Sequence, residues 1–214
     1  MFILLVLSFV ALSDAAYGAN VWSPASMSTV KCFRDHMYDS FFIFRGWRSI
    51  GNYDVDDRNN YVNAVVSGFK LNDIYAYFDP CYTCGNPAGQ ISSFWNMATS
   101  NGVKFDTLYF NVDGTWSSSQ SANREFLEAL TAQAVNLGIK SGIYTSKEKW
   151  EEILGSDYTF ASAESFPLWY RHCDNVVSFS DFVAFGGWTT PTLKQFYGET
   201  TMCNIQTDKN YRPF

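Results

Sequence analysis

A carboxylate and a side-chain amide stand two residues apart in the segment LYFNVDGTWSSSQSANREF, residues 108–126. The segment begins as an apolar strand, and alternate side chains of a strand share one face. We therefore expect Asn111 and Asp113 to point the same way at the carboxyl end of this strand. In an α/β barrel, the catalytic groups lie at that end. The pair predicts a polar site in which an acidic group and an amide act on one ligand.

Apolar strand-like runs alternate along the chain with helical stretches, a pattern that favours a mostly parallel sheet. We predict strands at 19–22, 41–46, 73–78, 106–112, 140–144, 167–171, 182–185 and 193–197, and helices at 27–38, 57–69, 89–101, 121–137 and 147–154. About eight strands, with few helices in the last third, predict an α/β fold, a single-domain irregular TIM-like β/α barrel. A doubly wound open sheet is the alternative. No glycine-rich phosphate loop follows any strand, so we expect no nucleotide cofactor.

The composition indicates one large domain with a sizeable core. The chain has 214 residues, of which 47% are hydrophobic and 18% are aromatic. Its net charge of −6 argues against nucleic acid as a partner. Aromatic rings suit carbohydrate, because the apolar faces of sugars stack on them, although most of these rings are expected in the core.

The N-terminus predicts secretion. Residues 1–12, MFILLVLSFVAL, form an apolar run that is followed by small residues. The run has the length of the apolar region of a signal peptide and is too short to span a bilayer. We predict a signal peptide at 1–18, with cleavage between Ala15 and Ala19, and a barrel domain at 19–214. No second stretch is suited to anchor the chain in a membrane, so we expect an extracellular protein.

Five cysteines in a secreted chain indicate disulfides and one remaining thiol. Cys32 lies near the N-terminus and Cys203 near the C-terminus, and these two ends are neighbours in a closed barrel. We therefore expect the pairs Cys32–Cys203 and Cys81–Cys84, with Cys173 unpaired and buried. No metal site is expected, because the two histidines are isolated from any second Cys-x-x-Cys.

Six segments together resemble the secreted eukaryotic branch of glycoside hydrolase family 25, the muramidase-type lysozymes. They run in family order and cover nearly all of the chain after the predicted signal peptide. The segments are FRGWRSIG (44–51), PCYTCGNPAGQ (80–90), SSSQSANREF (117–126), IYTSKEKWEEILGS (143–156), PLWYRHCDN (167–175) and FSDFVAFGGWTTPTLKQFYGETTMC (179–203).

The resemblance implies four acidic positions in the cleft, and three of them are altered in this chain. Asn20 stands at the first acidic position, and Asn111-x-Asp113 stands where the family has Asp-x-Glu. The last acidic position keeps its aspartate, as Asp208. In the family, the glutamate is taken as the proton donor and an aspartate is thought to help the acetamido group of the substrate attack. Asp113 is shorter than glutamate, and a displacement of about 1 Å can cost on the order of 100-fold in rate.

Further candidates would contact the substrate. Asp79 either returns a carboxylate to the cleft or caps the turn at Pro80. Arg45 binds a carboxylate of the ligand or forms an ordinary ion pair. Each of Trp116, Trp169 and Trp188 either stacks on a sugar or packs in the core.

The resemblance implies a secreted, monomeric lysozyme-like protein whose partner is peptidoglycan or a related amino-sugar polymer. Such a protein binds the polymer and hydrolyses the β-1,4 bond after N-acetylmuramic acid, in bacterial cell-wall breakdown or defence. The altered acids leave two alternatives open, a catalytically silent glycan-binding protein and a structural secreted scaffold.

Overall fold

The structure is a computed structural model that describes residues 15–213 of the chain. In this range, the strands are β1 (Ala15–Val21), β2 (Phe41–Arg48), β3 (Asn52–Tyr53), β4 (Ile74–Phe78), β5 (Thr107–Asn111), β6 (Ser141–Thr145), β7 (Leu168–Arg171), β8 (Leu193–Met202) and β9 (Ile205–Pro213). The α-helices are α1 (Met27–Asp35), α2 (Asp57–Val66), α3 (Pro87–Ser100), α4 (Gln120–Asn136) and α5 (Lys147–Leu154). Two 3₁₀ turns span Leu71–Asp73 and Tyr82–Cys84.

Eight of the described strands close into a barrel. Neighbouring strands are parallel along the series β1, β2, β4, β5, β6, β7 and β8. Strand β9 is antiparallel to both of its neighbours, β8 and β1, and so closes the circle. The short β3 pairs with the end of β2. The predicted irregular TIM-like β/α barrel is confirmed, and the open-sheet alternative is wrong because β1 pairs on both of its edges.

One of the eight predicted strands is wrong. Residues 182–185 were predicted to form a strand, but the only pairing described there is an isolated bridge between Phe185 and Trp188. The eighth barrel strand is β9, which follows β8 through a tight turn at Cys203 and Asn204. Its polar sequence, IQTDKNYRP, contains no apolar run, so hydrophobicity gives no signal for it.

The outward face of the barrel packs under the helices. Phe42 of β2 lies 6.4 Å, ring centre to ring centre, from Phe33 of α1. Phe94 of α3 and Leu127 of α4 are fully buried over the same layer, which also includes Phe110 of β5. This layer between strands and helices forms the larger hydrophobic core.

The barrel interior is a second, smaller core filled largely by rings. Its buried members are Ala16, Phe41, Ile43, Tyr75, Tyr77, Tyr109, Trp169 and Leu193. Glycines make room for two of these rings: a Cβ on Gly18 would lie 2.3 Å from Phe41, and one on Gly142 would lie 2.6 Å from Tyr109. The interior is therefore solid, and polar side chains at its upper end rest on a fixed floor.

Both expected disulfides are present. Cys32 of α1 bonds to Cys203 in the turn between β8 and β9, with a Cα–Cα distance of 5.9 Å. Cys81 bonds to Cys84 in the loop after β4, at 5.3 Å. Cys173 is free, as predicted, but the prediction that it is buried is wrong. It lies two residues beyond the end of β7, outside the packed interior.

The predicted signal peptide falls mostly outside the described residues, which begin at Ala15. Residues 15–18 form the first part of β1 and pair with residues 210–213 of β9. The predicted cleavage interval therefore overlaps a barrel strand, and the cleavage position stays a prediction. Across residues 15–213, no helix is long and apolar enough to cross a lipid bilayer.

Candidate active site

Polar side chains cluster at the carboxyl ends of the parallel strands, above the aromatic interior. The strand registers bring together six residues that the sequence analysis singled out, Asn20, Arg45, Asp79, Asn111, Asp113 and Asp208, and three that it did not, Tyr144, Arg171 and Gln195. This end of the barrel is the candidate active site, since catalytic groups of such barrels lie there.

The residues predicted from the first and last strands are in contact. Asn20 Nδ2 of β1 donates to Asp208 Oδ2 of β9 over 2.9 Å, and the backbone N–H of Glu199 donates to Asp208 Oδ1 over 2.7 Å. Below them, Asn210 Nδ2 donates to Asn20 Oδ1 over 2.8 Å and Trp169 Nε1 donates to Asn210 Oδ1 over 2.9 Å. Burial raises the pKa of Asp208, although the hydrogen bond from Asn20 opposes that rise. This chain of bonds fixes the orientation of the Asn20 amide and the Asp208 carboxylate.

Asp113 is held by a cation that the sequence analysis missed. Its Oδ2 lies 3.3 Å from Nε of Arg171, at the end of β7, and its Oδ1 lies 3.5 Å from Nη1 of the same guanidinium. Strand β6 lies between the two, so Asp113 extends across the cleft. The alternation of side chains along a strand offered a signal for Arg171, because it shares the inward face with Trp169.

Asp79 lies inside the cleft, on the other side of Asn111. Asn111 Nδ2 donates to Asp79 Oδ1 over 2.7 Å, as expected of neighbours on β4 and β5, where Phe78 pairs with Phe110. Burial raises the pKa of Asp79 to about 6, while the hydrogen bond from Asn111 and the charge of Arg45 oppose that rise. Of the two readings of Asp79, the structure therefore supports the carboxylate in the cleft.

Asn111 has a second unusual feature. Its Oδ1 is buried and has no hydrogen-bond partner among the described residues. The bond to Asp79 is therefore the one described contact that fixes which way the amide of Asn111 points. An amide at this position has nearly the size and shape of an aspartate side chain, but it replaces one acceptor oxygen with a donor and brings no charge.

Arg45 is engaged within the protein. Its Nε lies 2.6 Å from Oδ2 of Asp54, and its Nη2 donates to the backbone oxygen of Trp22 over 2.9 Å. Of the two roles considered for Arg45, the structure supports the ion pair. The guanidinium still lies close enough to Asp79 to influence the charge of that carboxylate.

A pocket of about 290 Å³ opens beside Asp79 and Asn111. Trp116 and Tyr82 line its apolar side, with their ring centres 6.2 Å apart. Asn123 of α4 fixes the loop that holds Trp116, since its side chain bonds both the N–H and the C=O of Ser117, at 3.0 and 2.9 Å. Tyr82 was missed, and the signal for it was an aromatic residue within the Cys81–Cys84 loop, three positions after Asp79.

Two of the three candidate tryptophans do not reach the cleft. Trp169 is 1% exposed and lies inside the barrel, where it supports Asn210. Trp188 is 5% exposed, donates to the backbone oxygen of Phe166 and packs against Trp150 in the outer layer. The structure corrects both predictions in favour of packing, because neither ring has a free face for a sugar. Trp116 alone of the three borders the pocket.

Two groups of side chains have the spacing of metal ligands in the described part of the chain. In the first, Cys32 and Cys203 are joined in a disulfide beside His36, so their sulfurs are not available as thiolates. The second consists of His172, Asp174 and Asp181. There the ammonium group of buried Lys194 already lies 3.0 Å from each aspartate. That cation already pairs with both carboxylates, so neither group is suited to metal.

Comparison with known proteins agrees with this architecture. Residues 11–196 match the family model described as Lysozyme-like protein 1. The chain is 35% identical over 217 residues to the probable GH family 25 lysozyme 2 of Dictyostelium discoideum, and the match covers 99% of each protein.

Solved structures show the same fold. The family GH25 lysozyme from Aspergillus fumigatus matches with a TM-score of 0.72 at 13% identity, covering 94% of each chain. The modular Cpl-1 endolysin, solved in complex with a peptidoglycan analogue, matches with a TM-score of 0.63 at 15% identity, covering 93% of this chain and 55% of that one. Together, the family-model match and the identity to the Dictyostelium protein show that this chain belongs to the lysozyme-like proteins of glycoside hydrolase family 25.

Proposed function

We propose that this protein is a secreted, monomeric lysozyme-like protein that binds peptidoglycan in the barrel cleft and hydrolyses the β-1,4 bond after N-acetylmuramic acid. Its role would be bacterial cell-wall breakdown or defence. The observation that supports this most strongly is that three carboxylates, Asp79, Asp113 and Asp208, lie together at the end of the barrel where the parallel strands finish, although three acidic positions of the family pattern are altered.

The chemistry needs a proton donor at the leaving oxygen and negative charge near the anomeric carbon. Asn20 and Asn111 supply neither. The carboxylates that remain lie in different surroundings: Asp113 faces a guanidinium, whereas Asp79 and Asp208 accept hydrogen bonds from amides. Differences of this kind separate acid from base among like groups.

Binding has its own support. Trp116 and Tyr82 offer aromatic surface at the pocket, on which the apolar face of a sugar can stack. Thr115 and Ser49 add hydroxyl groups to the same wall. The Cpl-1 endolysin, a structural neighbour, was solved with a peptidoglycan analogue bound, which supports the same ligand class here.

Secretion is part of the proposal. Two disulfides, Cys32–Cys203 and Cys81–Cys84, fit an oxidising compartment such as the secretory pathway. The apolar segment at residues 1–12 fits a signal peptide. Sequencing the N-terminus of the protein recovered from culture medium tests both the export and the predicted cleavage interval.

A catalytically silent glycan-binding protein is the second candidate. The observation that favours it is the ion pair between Asp113 and Arg171, together with amides at positions 20 and 111. A carboxylate neutralised by a guanidinium is poorly suited to donate a proton. In this case the cleft would recognise the polymer without cleaving it.

One experiment separates these functions. The purified protein is incubated with insoluble peptidoglycan from pH 4 to pH 8, and both the reducing ends released and the fraction of protein that sediments are measured. An Asp113→Ala variant is treated in parallel. Release that depends on Asp113 supports the hydrolase. Sedimentation without release supports the silent binding protein. If the protein neither releases reducing ends nor sediments with the polymer, a peptidoglycan function is refuted.

A further inference from the structure

Asp79 is a half-buried carboxylate that the family pattern of the cleft does not include. It follows β4 directly, next to Asn111 of β5, and borders the pocket that Trp116 and Tyr82 line. Since its Oδ1 accepts the amide proton of Asn111, the orientation of the carboxyl group is fixed. A carboxyl group in this position can meet a ligand that enters the pocket.

The charged and titratable groups around Asp79 leave it without a close cation. The charge of Arg45, on the neighbouring β2, lowers the pKa of Asp79. The donors of this guanidinium, however, already bind Asp54 and the backbone oxygen of Trp22. Tyr77 precedes Asp79 on the inward face of β4 and is buried. Asp54 adds a like charge, and Asn111 is neutral. Asp79 is half-buried and has no salt bridge among the described residues.

Asp113 lies in the opposite environment. Arg171 lies within 3.3 Å of it and stabilises the negative charge. Two carboxyl groups on either side of Asn111 thus lie in different surroundings: Asp113 has a guanidinium as its partner, whereas Asp79 has no salt bridge and burial raises its pKa. Groups whose surroundings differ in this way are assigned the acid and base roles in glycosidases.

We propose that Asp79 is the proton donor of this cleft and that Asp113 is its ionised partner. This inference rests on the proposed hydrolase function. The proton of the Asp79 carboxyl group passes to the glycosidic oxygen, and the electron pair of the C1–O bond leaves with that oxygen. A water molecule adds its hydroxyl to C1 and gives its proton to the Asp113 carboxylate. Asp113 then releases this proton to solvent and Asp79 takes one up from solvent, so both groups return to their starting states and the net reaction consumes one water per bond.

The assignment predicts how the rate depends on pH. Burial raises the pKa of Asp79 to about 6, so the acid form dominates in mildly acidic solution and is lost as the pH rises. The rate on peptidoglycan is therefore expected to fall above pH 6. A general acid typically contributes about 100- to 10,000-fold to the rate, so Asp79→Asn is expected to lose a factor of this size.

The test compares wild type, Asp79→Asn and Asp39→Asn on two substrates. Asp39 is exposed and precedes β2, at the opposite end of the barrel, and serves as the matched control. The first substrate is peptidoglycan. The second is a dinitrophenyl glycoside of the peptidoglycan disaccharide, whose leaving group needs no proton. Asp79→Asn should lose activity on peptidoglycan by at least 100-fold but stay within about tenfold of wild type on the aryl glycoside.

Other outcomes overturn the inference in distinguishable ways. If Asp79→Asn cleaves peptidoglycan as wild type does, Asp79 is not the acid and the hydrolase function survives. Equal losses on both substrates, with unchanged thermal stability, assign Asp79 to substrate positioning instead. No release by wild type on either substrate refutes the hydrolase function, and the assignment of Asp79 with it. If Asp79→Asn loses thermal stability, Asp79→Glu is measured instead. This variant keeps the carboxyl group and should retain measurable cleavage, with a rate that falls above pH 6.

Discussion

The contact between Asn111 and Asp79 makes a quantitative prediction about restoring the family's aspartate. In the structure, Asn111 Nδ2 donates to Asp79 Oδ1 over 2.7 Å. The substitution Asn111→Asp replaces this donor with a second acceptor, so two carboxylates would face each other. Unit charges about 4 Å apart repel by about 4 kcal/mol at an effective dielectric constant of about 20, which corresponds to about 3 pKa units.

This repulsion sets how the stability of the variant depends on pH. Burial already raises the pKa of Asp79 to about 6, and the added charge raises the pKa of the pair further. The folded variant therefore holds one proton from pH 6 to pH 8, whereas its unfolded chain holds none. Because the folded state binds the extra proton, stability falls with rising pH by about 1.4 kcal/mol per unit. In wild type, Asp79 is largely ionised above pH 6 and contributes little slope there.

The assay is urea unfolding followed by tryptophan fluorescence at pH 6, 7 and 8. The difference in unfolding free energy between Asn111→Asp and wild type is expected to grow by about 2.5 kcal/mol over this range. Other titrating groups are common to both proteins and cancel in the difference. The exchanged double variant, Asn111→Asp with Asp79→Asn, restores one amide–carboxylate bond and should differ from wild type by a constant amount. Parallel curves for wild type and Asn111→Asp would refute the reasoning.

Three further predictions concern stability and accessibility. Asp57 is buried, and burial raises its pKa to about 7, so protonation of Asp57 stabilises the folded state as the pH falls from 8 to 4. In urea titrations, Asp57→Asn should remove about 4 kcal/mol of this gain in unfolding free energy. An unchanged dependence of stability on pH would contradict this. Replacing Cys32 and Cys203 by serine opens a loop whose ends are 171 residues apart in sequence. The substitution should lower the unfolding free energy by about 5 kcal/mol, and a loss below about 1 kcal/mol would contradict the chain-entropy explanation. Cys173 is exposed and free, so the native protein should react with iodoacetamide at this residue, as seen by peptide mass analysis, and labelling only after unfolding would contradict the structure.

The parallel part of the barrel could be predicted from sequence because its strands are buried on both faces. The apolar runs that give β2, β4 and β5 exist because one face packs in the lumen and the other under helices. Residues 182–185 look similar for a different reason. Phe182 and Phe185 pack on Tyr170 through their rings, without strand pairing to β7. Hydrophobicity alone does not distinguish packing from pairing.

The site was predicted in part for a related reason. Asn20, Asn111, Asp113 and Asp208 occupy positions that the family pattern marks, and the structure brings them to one end of the barrel. The contacts that decide their chemistry join residues far apart in the chain. Arg171 is 58 residues from Asp113, so no local pattern indicates their ion pair.

Closure of the barrel by its first and last strands determines when the cleft comes into existence. The bond between Asn20 and Asp208 joins residues 188 positions apart. At a synthesis rate of about 5 to 20 residues per second, β1 waits about 10 to 40 s for β9 to be made. During that interval β1 has one unpaired edge, and Asp208, one of the three carboxylates of the cleft, has not been made. Such long-range closure slows folding, because the entropy of a long loop is lost before the contacts form. A nascent chain of this kind cannot engage a glycan through the complete cleft until its final strand has left the ribosome.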